Sequence, residues 1–200
     1  MNILAVDATG EVLSIALDAG GKVYAARKSG KRPHDETLLP AVEAVLKRAK
    51  LSWDDLDAVA AASGPGRFTG IRIGLAFASI LGMKLRIPAL ALSRLEAAAE
   101  KSGASAVLAA LPGWKNEVYH QGFRRKKSGL VADGEAEWTS PEAWPQARAA
   151  AEARGLAVAY ADTDASDVLP VAHRYLKAKR TPPFAPFYLK PAGYEKKPAR

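Results

Sequence analysis

The chain has 200 residues, of which 48% are hydrophobic and 25% are charged, a balance that suits a soluble protein with one or two packed cores. It has no cysteine, which excludes disulfides and thiolate metal sites. Its opening MNILAVDATG lacks the basic region of a secretory signal, and no run of about 18 uncharged apolar residues predicts a membrane span, so we expect a cytoplasmic protein without membrane contact. The net charge of +8 leaves two interpretations open, a polyanionic partner or a basic but inert surface.

The first hundred residues alternate between strands and helices. The predicted elements, in chain order, are strands at 2–8, 11–20 and 22–29, a helix at about 34–50, a strand at 56–63, a helix at 70–86, a strand at 88–93 and a helix at 94–101. The first three strands should form an antiparallel meander. Pro40 should lie near the first turn of its helix, where a missing N–H costs nothing. A meander followed by strand–helix crossovers indicates an α/β sheet with an antiparallel edge.

Near residue 103 a second, smaller set of predicted strands and helices begins. We therefore place an N-terminal domain at 1–102 and a smaller α/β domain with a basic tail at 103–200. The predicted elements of the second domain are strands at 105–111 and 117–123, a charged turn at 124–129, a helix near 141–154, a strand at 156–161 and a helix near 165–179. The tail TPPFAPFYLKPAGYEKKPAR is rich in proline and basic residues, and we expect it to be extended.

The helix at 70–86 carries a stripe of small residues. They recur every fourth position, so they share one helix face: Gly70, Gly74, Ala78 and Gly82. Because glycine inside a helix costs about 1 kcal/mol relative to alanine, the stripe implies a compensating close approach to another element. The rest of the helix is also mostly apolar, so it should be buried nearly all round. Either a partner chain or the C-terminal unit of the same chain would cover it.

The loop SGPGRFTGIRIG at 63–74 joins a strand to this helix. It lacks the Gly-Lys-Ser/Thr ending of a Walker A motif, and its G-x-G-x-x-x-G spacing differs from the dinucleotide fingerprint. A glycine loop at a helix N-terminus can still hold an anion weakly through backbone N–H groups. On spacing alone, a packing turn is the better interpretation.

Other signs of chemistry are few. The three histidines, His34, His120 and His173, have no metal-binding spacing, and the chain offers no triad elbow, so we predict neither catalytic residues nor a metal site. Asp7, at the end of the first strand, is the one acid placed where an α/β site would lie.

Four segments together resemble the TsaB (YeaZ) family. They are VDATG, PHDETLLP, SGPGRFTGIRIGLAFASILG and IPALALSRLEAAA, which match in order and spacing over about residues 1–100. The C-terminal half is similar only in a strand pair and in a closing P-F-Y-L-K. Where family members usually show an Asp-Ala-Arg segment, this chain has LPGW at 111–114.

The resemblance implies an actin-like ATPase (ASKHA, ribonuclease H-like) fold of two lobes, the second reduced. It also implies a non-catalytic subunit that dimerises with TsaD, the subunit that transfers threonylcarbamoyl to the adenosine next to the tRNA anticodon. In the family, a TsaE-like ATPase docks on that pair. Because the apolar face of the helix at 70–86 should not stay in water, we also expect the chain to form a homodimer when alone. ATP and metal are then expected in the partner subunits, with no cofactor in this chain.

In this interpretation, the helices at 34–50 and 70–86 form the partner interface. The predicted interface residues are His34, Leu38, Val42, Gly70, Ile71, Gly74, Phe77, Ala78, Leu81 and Gly82.

Two further hypotheses stay open beside the scaffold subunit. One is an active nucleotide-dependent phosphotransferase of the same fold, and the candidate residues for nucleotide or weak anion contact are Asp7, Thr9, Gly64, Gly66 and Thr69. The other is direct contact with tRNA phosphates by the basic segments 124–127, 174–180 and 190–200.

Overall fold

A computed structural model of the protein describes residues 1–30, 32–127 and 129–190. Its strands are β1 (Asn2–Asp7), β2 (Leu13–Ala19), β3 (Lys22–Lys28), β4 (Ala58–Gly64), β5 (Ala89–Ser93), β6 (Ala106–Pro112), β7 (Val118–Lys126), β8 (Gly129–Ala132), β9 (Glu137–Thr139) and β10 (Ala157–Tyr160). Its α-helices are α1 (His34–Ala49), α2 (Phe68–Leu85), α3 (Arg94–Ser102), α4 (Trp144–Ala153) and α5 (Ala165–Lys177).

The first sheet has the strand order β3-β2-β1-β4-β5. Its first three strands form the predicted antiparallel meander, and β4 and β5 add in parallel. Successive side chains of the central strand β1 point to opposite faces, as the strand repeat requires, so Leu4 packs into one core and Ile3 into the other. Helices α1 and α2 cover the first face, and α5, from the C-terminal half of the chain, covers the second. The predicted α/β class is confirmed.

The second sheet has the order β10-β6-β7-β8, with β9 paired to β7. Helix α3 packs on one face through Leu95, and α4 packs on the other through Ala151. The prediction of a turn at 124–129 is wrong, because β7 continues to Lys126 and pairs with β8. Exposed lysines and arginines obscure the strand pattern there, since an edge hairpin needs only one apolar face.

The prediction for Pro40 is wrong, whereas the prediction for the tail agrees with the structure over residues 181–190. Pro40 lies in the second turn of α1 rather than the first, and the helix continues past it. The residue is exposed, so water can serve the carbonyl that lost its donor. The tail, by contrast, has no helix or strand over residues 181–190, as expected for an extended segment, while residues 191–200 lie outside the described part.

Residues 181–190 form a strap that connects the two lobes. The Phe187 N–H donates to the Ser63 carbonyl over 2.8 Å, at the end of β4. Phe187 and Leu189 also pack against the core of the second sheet. Lys190 Nζ lies 2.6 Å from the Glu117 carboxylate, which fixes the strap at its far end. The P-F-Y-L-K motif thus joins β4 of the first lobe to the second lobe.

Helix α2 is, among the described residues, the one helix long and apolar enough to cross a bilayer by length and composition. Its small residues lie on the first sheet, and its buried residues belong to the main core. One face of α2 is thus part of the core of its own chain.

Candidate functional site in the interlobe cleft

The glycines of the 63–74 loop allow the chain to approach the turn between β1 and β2 closely. A Cβ on Gly66 would lie 2.7 Å from the Thr9 carbonyl oxygen, and one on Gly70 would lie well inside van der Waals contact with the Ala8 carbonyl oxygen. The Arg67 N–H donates to that same Thr9 carbonyl over 2.7 Å. The loop therefore acts as a packing turn, as its spacing favoured.

The predicted nucleotide-contact residues do not all come together. Asp7, Thr9 and Gly66 line a cleft of about 650 Å³ between the lobes. Gly64 has a φ of +117° and lies under the strap, where a Cβ would be 2.5 Å from the Phe187 carbonyl oxygen. Thr69 is exposed in a separate depression beside the N-terminus of α1. The five residues therefore cannot act as one nucleotide site.

The centre of the cleft is occupied by a buried ion pair. Arg94 Nε lies 3.2 Å from Asp7 Oδ2, and the two side chains are only 5% and 4% exposed. The other oxygen, Oδ1, accepts from the Thr9 N–H over 2.9 Å and from the Thr9 hydroxyl over 2.6 Å. Both oxygens of the Asp7 carboxylate are thus engaged within the protein.

Arg94 also links the lobes. Its guanidinium donates to the Pro65 carbonyl over 3.0 Å and to the Thr163 hydroxyl over 3.1 Å, and it forms a short ion pair with Asp162. A buried pair of this kind adds little net stability, because desolvation offsets the attraction, but removing one partner typically costs about 3–5 kcal/mol. Arg94 therefore holds β1, the glycine loop and the 162–163 segment in a fixed arrangement.

The residues present do not fit a metal–nucleotide centre. An ATP-using enzyme of this kind needs carboxylates free to hold a divalent cation near the phosphates. The Asp7 carboxylate is instead neutralised by a guanidinium. Over residues 1–30, 32–127 and 129–190, no group of three histidine, aspartate or glutamate side chains is arranged to hold a metal ion.

The aromatic residues at the cleft contribute surface rather than charge. Burial raises the pKa of the Tyr119 phenol, the nearby Glu117 carboxylate raises it further and Arg94 opposes the shift. Tyr119 is consequently neutral at ordinary pH. Trp114, in the segment where the chain departs from the family pattern, is 72% exposed at the cleft.

The predicted partner interface is largely wrong in its residues. Five of them are core residues of the first lobe: Leu38, Val42, Ile71, Ala78 and Leu81. The glycines of the stripe also face the chain itself: Gly70 lies against the turn between β1 and β2, Gly74 against β4 and Gly82 against the start of β5. The physical reason is that β4 turns Val59 and the small side chain of Ala61 towards α2, so the middle of the helix can approach the strand closely.

His34 is also engaged within the chain. Its Nδ1 lies 3.1 Å from the Ala8 carbonyl oxygen and its Nε2 lies 3.2 Å from the Glu11 carbonyl oxygen. The ring therefore ties the start of α1 to the turn between β1 and β2. Among the predicted interface residues, Phe77 remains partly accessible.

A different surface of α2 is exposed and apolar. We call it the outer face of α2, and it consists of Ile73, Ala76, Phe77, Ile80 and Met83. Ile80 is 67% exposed and Met83 is 78% exposed, and Leu39 on the neighbouring helix α1 is 52% exposed. The sequence indicated that α2 is apolar all round, but it assigned the partner to the opposite side.

Arg94 is the site residue that sequence reasoning missed. It is the first residue of α3, where the helix dipole disfavours a cation. A cation placed there, directly after a buried strand, is the signal that could have indicated an internal carboxylate partner.

The chain is similar to known proteins in both sequence and structure. The family model described as TsaD, tRNA N6-adenosine threonylcarbamoyltransferase, matches residues 26–137. The tRNA threonylcarbamoyladenosine biosynthesis protein TsaB of Escherichia coli is 36% identical over 141 residues, which cover 68% of this chain and 61% of the relative. The Bacillus subtilis protein of the same name is 38% identical, over 48% of this chain and 42% of the relative.

A solved structure supports the same relationship. The crystal structure of a Pseudomonas aeruginosa protein described as similar to peptidase YEAZ superposes with a TM-score of 0.76 at 25% identity, covering 94% of this chain and 99% of that chain. The predicted two-lobed, actin-like fold with a reduced second lobe is confirmed. The matches to the curated relatives span less than two thirds of those relatives' length. The family model nevertheless matches more than half of this chain, and the chain therefore belongs to the TsaD family, with the TsaB (YeaZ) resemblance of its motifs confirmed.

Proposed function

We propose that this chain is a scaffold subunit that pairs with a TsaD-type catalytic subunit, which transfers threonylcarbamoyl to the adenosine next to the tRNA anticodon. The names of its relatives, tRNA threonylcarbamoyladenosine biosynthesis proteins, support the pathway. The observation that carries the pairing is the outer face of α2. Ile80 and Met83 are large apolar side chains that are mostly in water, on adjacent turns of one helix.

Such a face is expensive to leave in water. Full burial of a side chain of this size stabilises by roughly 1.5–3 kcal/mol, so covering Ile80 and Met83 together would favour association. Exposed apolar surface of this kind typically marks an interface. The same face would serve a catalytic partner or a second copy of this chain, so the homodimer and the heterodimer would compete for it.

The interlobe cleft supports the non-catalytic part of the proposal. With Asp7 bound to Arg94, the carboxylate at the end of β1 is not free to hold a metal for phosphate chemistry. ATP and metal would then be held by the partner subunits, including a TsaE-like ATPase that docks on the pair in the cytoplasm. The alternative of an active phosphotransferase is not favoured, because it would first have to break this buried pair.

The test uses charge on the outer face of α2. Ile80→Lys and Met83→Lys should each weaken binding to the co-expressed catalytic subunit by roughly tenfold or more, the effect of losing an interface hot spot. Val23→Lys is the matched control, because Val23 is 52% exposed on β3, opposite Asp18, away from this helix face. Co-purification and sedimentation velocity give the readouts.

The activity in tRNA modification should change in the same way as the binding of the catalytic subunit. A reconstituted reaction should lose activity with Met83→Lys and keep it with Val23→Lys. Wild-type pairing and wild-type modification by both α2 variants would overturn the assignment of this face.

A further inference from the structure

We propose that a second surface, where the end of α5 meets the β7–β8 hairpin of the second lobe, binds the phosphate backbone of the RNA substrate. We call it the basic edge, and it consists of Lys126 at the end of β7, Lys127 directly after it, Lys177 at the end of α5, and Lys179 and Arg180 just beyond that helix. The identity of the RNA as tRNA rests on the proposed function. The binding chemistry rests on the charges themselves.

The fold brings these two segments together although some fifty residues separate them in sequence. The Arg174 side chain of α5 packs directly on the β7–β8 hairpin, since a Cβ on Gly129 would lie 3.1 Å from Arg174 Cδ. Arg125 Nη1 lies 3.1 Å from Glu100 at the end of α3, and Arg174 Nε lies 3.6 Å from the same carboxylate. Glu100 thus ties the hairpin to α5.

The acids at this junction are already neutralised. Glu100 is shared by Arg125 and Arg174, and Glu96 accepts from Arg174 Nη2 over 2.6 Å, so two acids balance two arginines. Outside this layer lie the five cations of the basic edge, all of them exposed. None of the five has an ion pair with any residue in the described part of the chain, so they leave a local surplus of positive charge.

Internal stability does not account for this surplus. Lys177 lies in the last turn of α5, where a cation offsets the helix dipole, but Lys179 and Arg180 lie beyond that helix and Lys126 and Lys127 lie on another element. Exposed like charges on one surface repel each other, and a bound polyanion would relieve the repulsion. The third predicted basic segment contributes differently: Lys190 pairs with Glu117, and residues 191–200 lie outside the described part.

The surface chemistry favours phosphates over bases. Tyr175 is half-buried, and the guanidinium carbons of Arg174 and Arg180 lie 5.1 and 5.8 Å from the centre of its ring, so the ring already has cation contacts and is a poor platform for a stacked base. Binding through lysine and arginine alone should be strongly dependent on salt and tolerant of RNA sequence.

The position of the basic edge is compatible with the proposed pairing. Helix α5 covers the face of the first sheet opposite α1 and α2. A partner seated on the outer face of α2 therefore leaves the basic edge uncovered, and one chain could hold both at once.

The experiment measures tRNA binding by the full chain, using fluorescence anisotropy with an unmodified tRNA transcript between 50 and 200 mM salt. Lys126→Gln/Lys177→Gln removes one cation from each half of the basic edge. Because each lost phosphate contact lowers the slope of log K against log salt by roughly 0.7–0.9, this variant should show a slope shallower by about 1.4–1.8 and binding at least about tenfold weaker at the lowest salt. Lys47→Gln/Lys84→Gln, with the same charge change on α1 and α2, should keep the wild-type slope.

Three results would overturn the proposal: equal binding by both double variants, wild-type binding that does not respond to salt, or binding to phosphatidylserine vesicles without binding to tRNA. The basic edge and the scaffold role can fail separately. If Lys126→Gln/Lys177→Gln lowers the salt slope of tRNA binding but still captures the catalytic subunit, the basic edge is supported and is separate from the pairing surface. If the wild type does not capture the catalytic subunit at all, the scaffold role fails, but the change in the salt slope still supports the basic edge.

Discussion

The two faces of α2 differ in residue size rather than in polarity. The inner face carries Gly70, Gly74 and Gly82 against the β1–β2 turn and the strands β4 and β5, and the outer face carries Ile80 and Met83 in water. Both faces are apolar, so polarity alone could not assign them. The comparison teaches that repeated small residues mark the side on which a helix packs closely within its own chain. Large exposed apolar residues mark the side that a partner would cover.

The inner face of α2 does not approach its neighbours equally closely along its length. Near its N-terminus α2 meets the backbone of the β1–β2 turn, in its middle it meets a side chain of β4 at ordinary distance, and near its C-terminus it meets the start of β5. Alanine substitutions along one helix should therefore give graded effects that follow the neighbouring atoms and not helix propensity.

Gly70→Ala should have the largest effect. The new Cβ would overlap the Ala8 carbonyl oxygen, which is backbone and cannot move aside as a side chain would. We expect a loss of about 3 kcal/mol or more in the free energy of unfolding, or failure to fold, at the upper end of the range for overpacking. Urea unfolding followed by circular dichroism measures it. Stability within 1 kcal/mol of the wild type would mean that the loop packs less tightly than described.

Gly82→Ala should come next. Its Cβ would lie 2.9 Å from the Ala89 Cβ and 3.1 Å from the Ile87 carbonyl oxygen, so β5 would have to shift by a few tenths of an ångström. The strain should exceed the gain of about 1 kcal/mol from helix propensity, which leaves a net loss of about 1–2 kcal/mol. The same urea titration decides, and a stabilised variant would contradict the contact.

The sequence predicted most of this fold because the signals are local. The meander follows from short apolar runs with glycine turns, and α1 and α2 follow from their helical periodicity. Strands β8 and β9 were missed because short edge strands carry little apolar pattern. Helix α3 of the first half packs on the second sheet, and α5 of the second half packs on the first sheet. This arrangement depends on tertiary packing that no local pattern encodes.

The candidate site was predicted only in part for the same reason. Asp7 could be found at a strand end, but its partner Arg94 lies in a segment that reads as an ordinary helix start. Asp162 and Thr163 join them from the other half of the chain. Which face of α2 is exposed also depends on how Val59 and Ala61 of β4 meet the helix, and therefore on the register of two elements at once.

Gly74→Ala should act in the opposite direction from the first two substitutions. Its Cβ would meet the Ala61 Cβ at 3.9 Å, an ordinary van der Waals contact, with no strained backbone to lose. Helix propensity then predicts a gain of up to about 1 kcal/mol in the free energy of unfolding. Thermal and urea unfolding should both report it. Because Gly74 and Gly82 share the stripe, opposite signs at the two positions would show that contact distance decides the outcome.

The smallest effect on stability should come from the outer face of α2. Ile80 is 67% exposed in the isolated chain, so Ile80→Lys removes little buried surface and should change the free energy of unfolding by no more than about 0.5 kcal/mol. The same variant is expected to bind its partner more weakly, so association changes at this residue without a change in stability. Gly70→Ala would instead weaken association only because it destabilises the fold. Unfolding must be measured at a concentration where the chain is monomeric, since dissociation would otherwise add to the apparent loss. A destabilisation of 2 kcal/mol under those conditions would show that Ile80 is packed within its own chain, and the distinction between the two faces would fail.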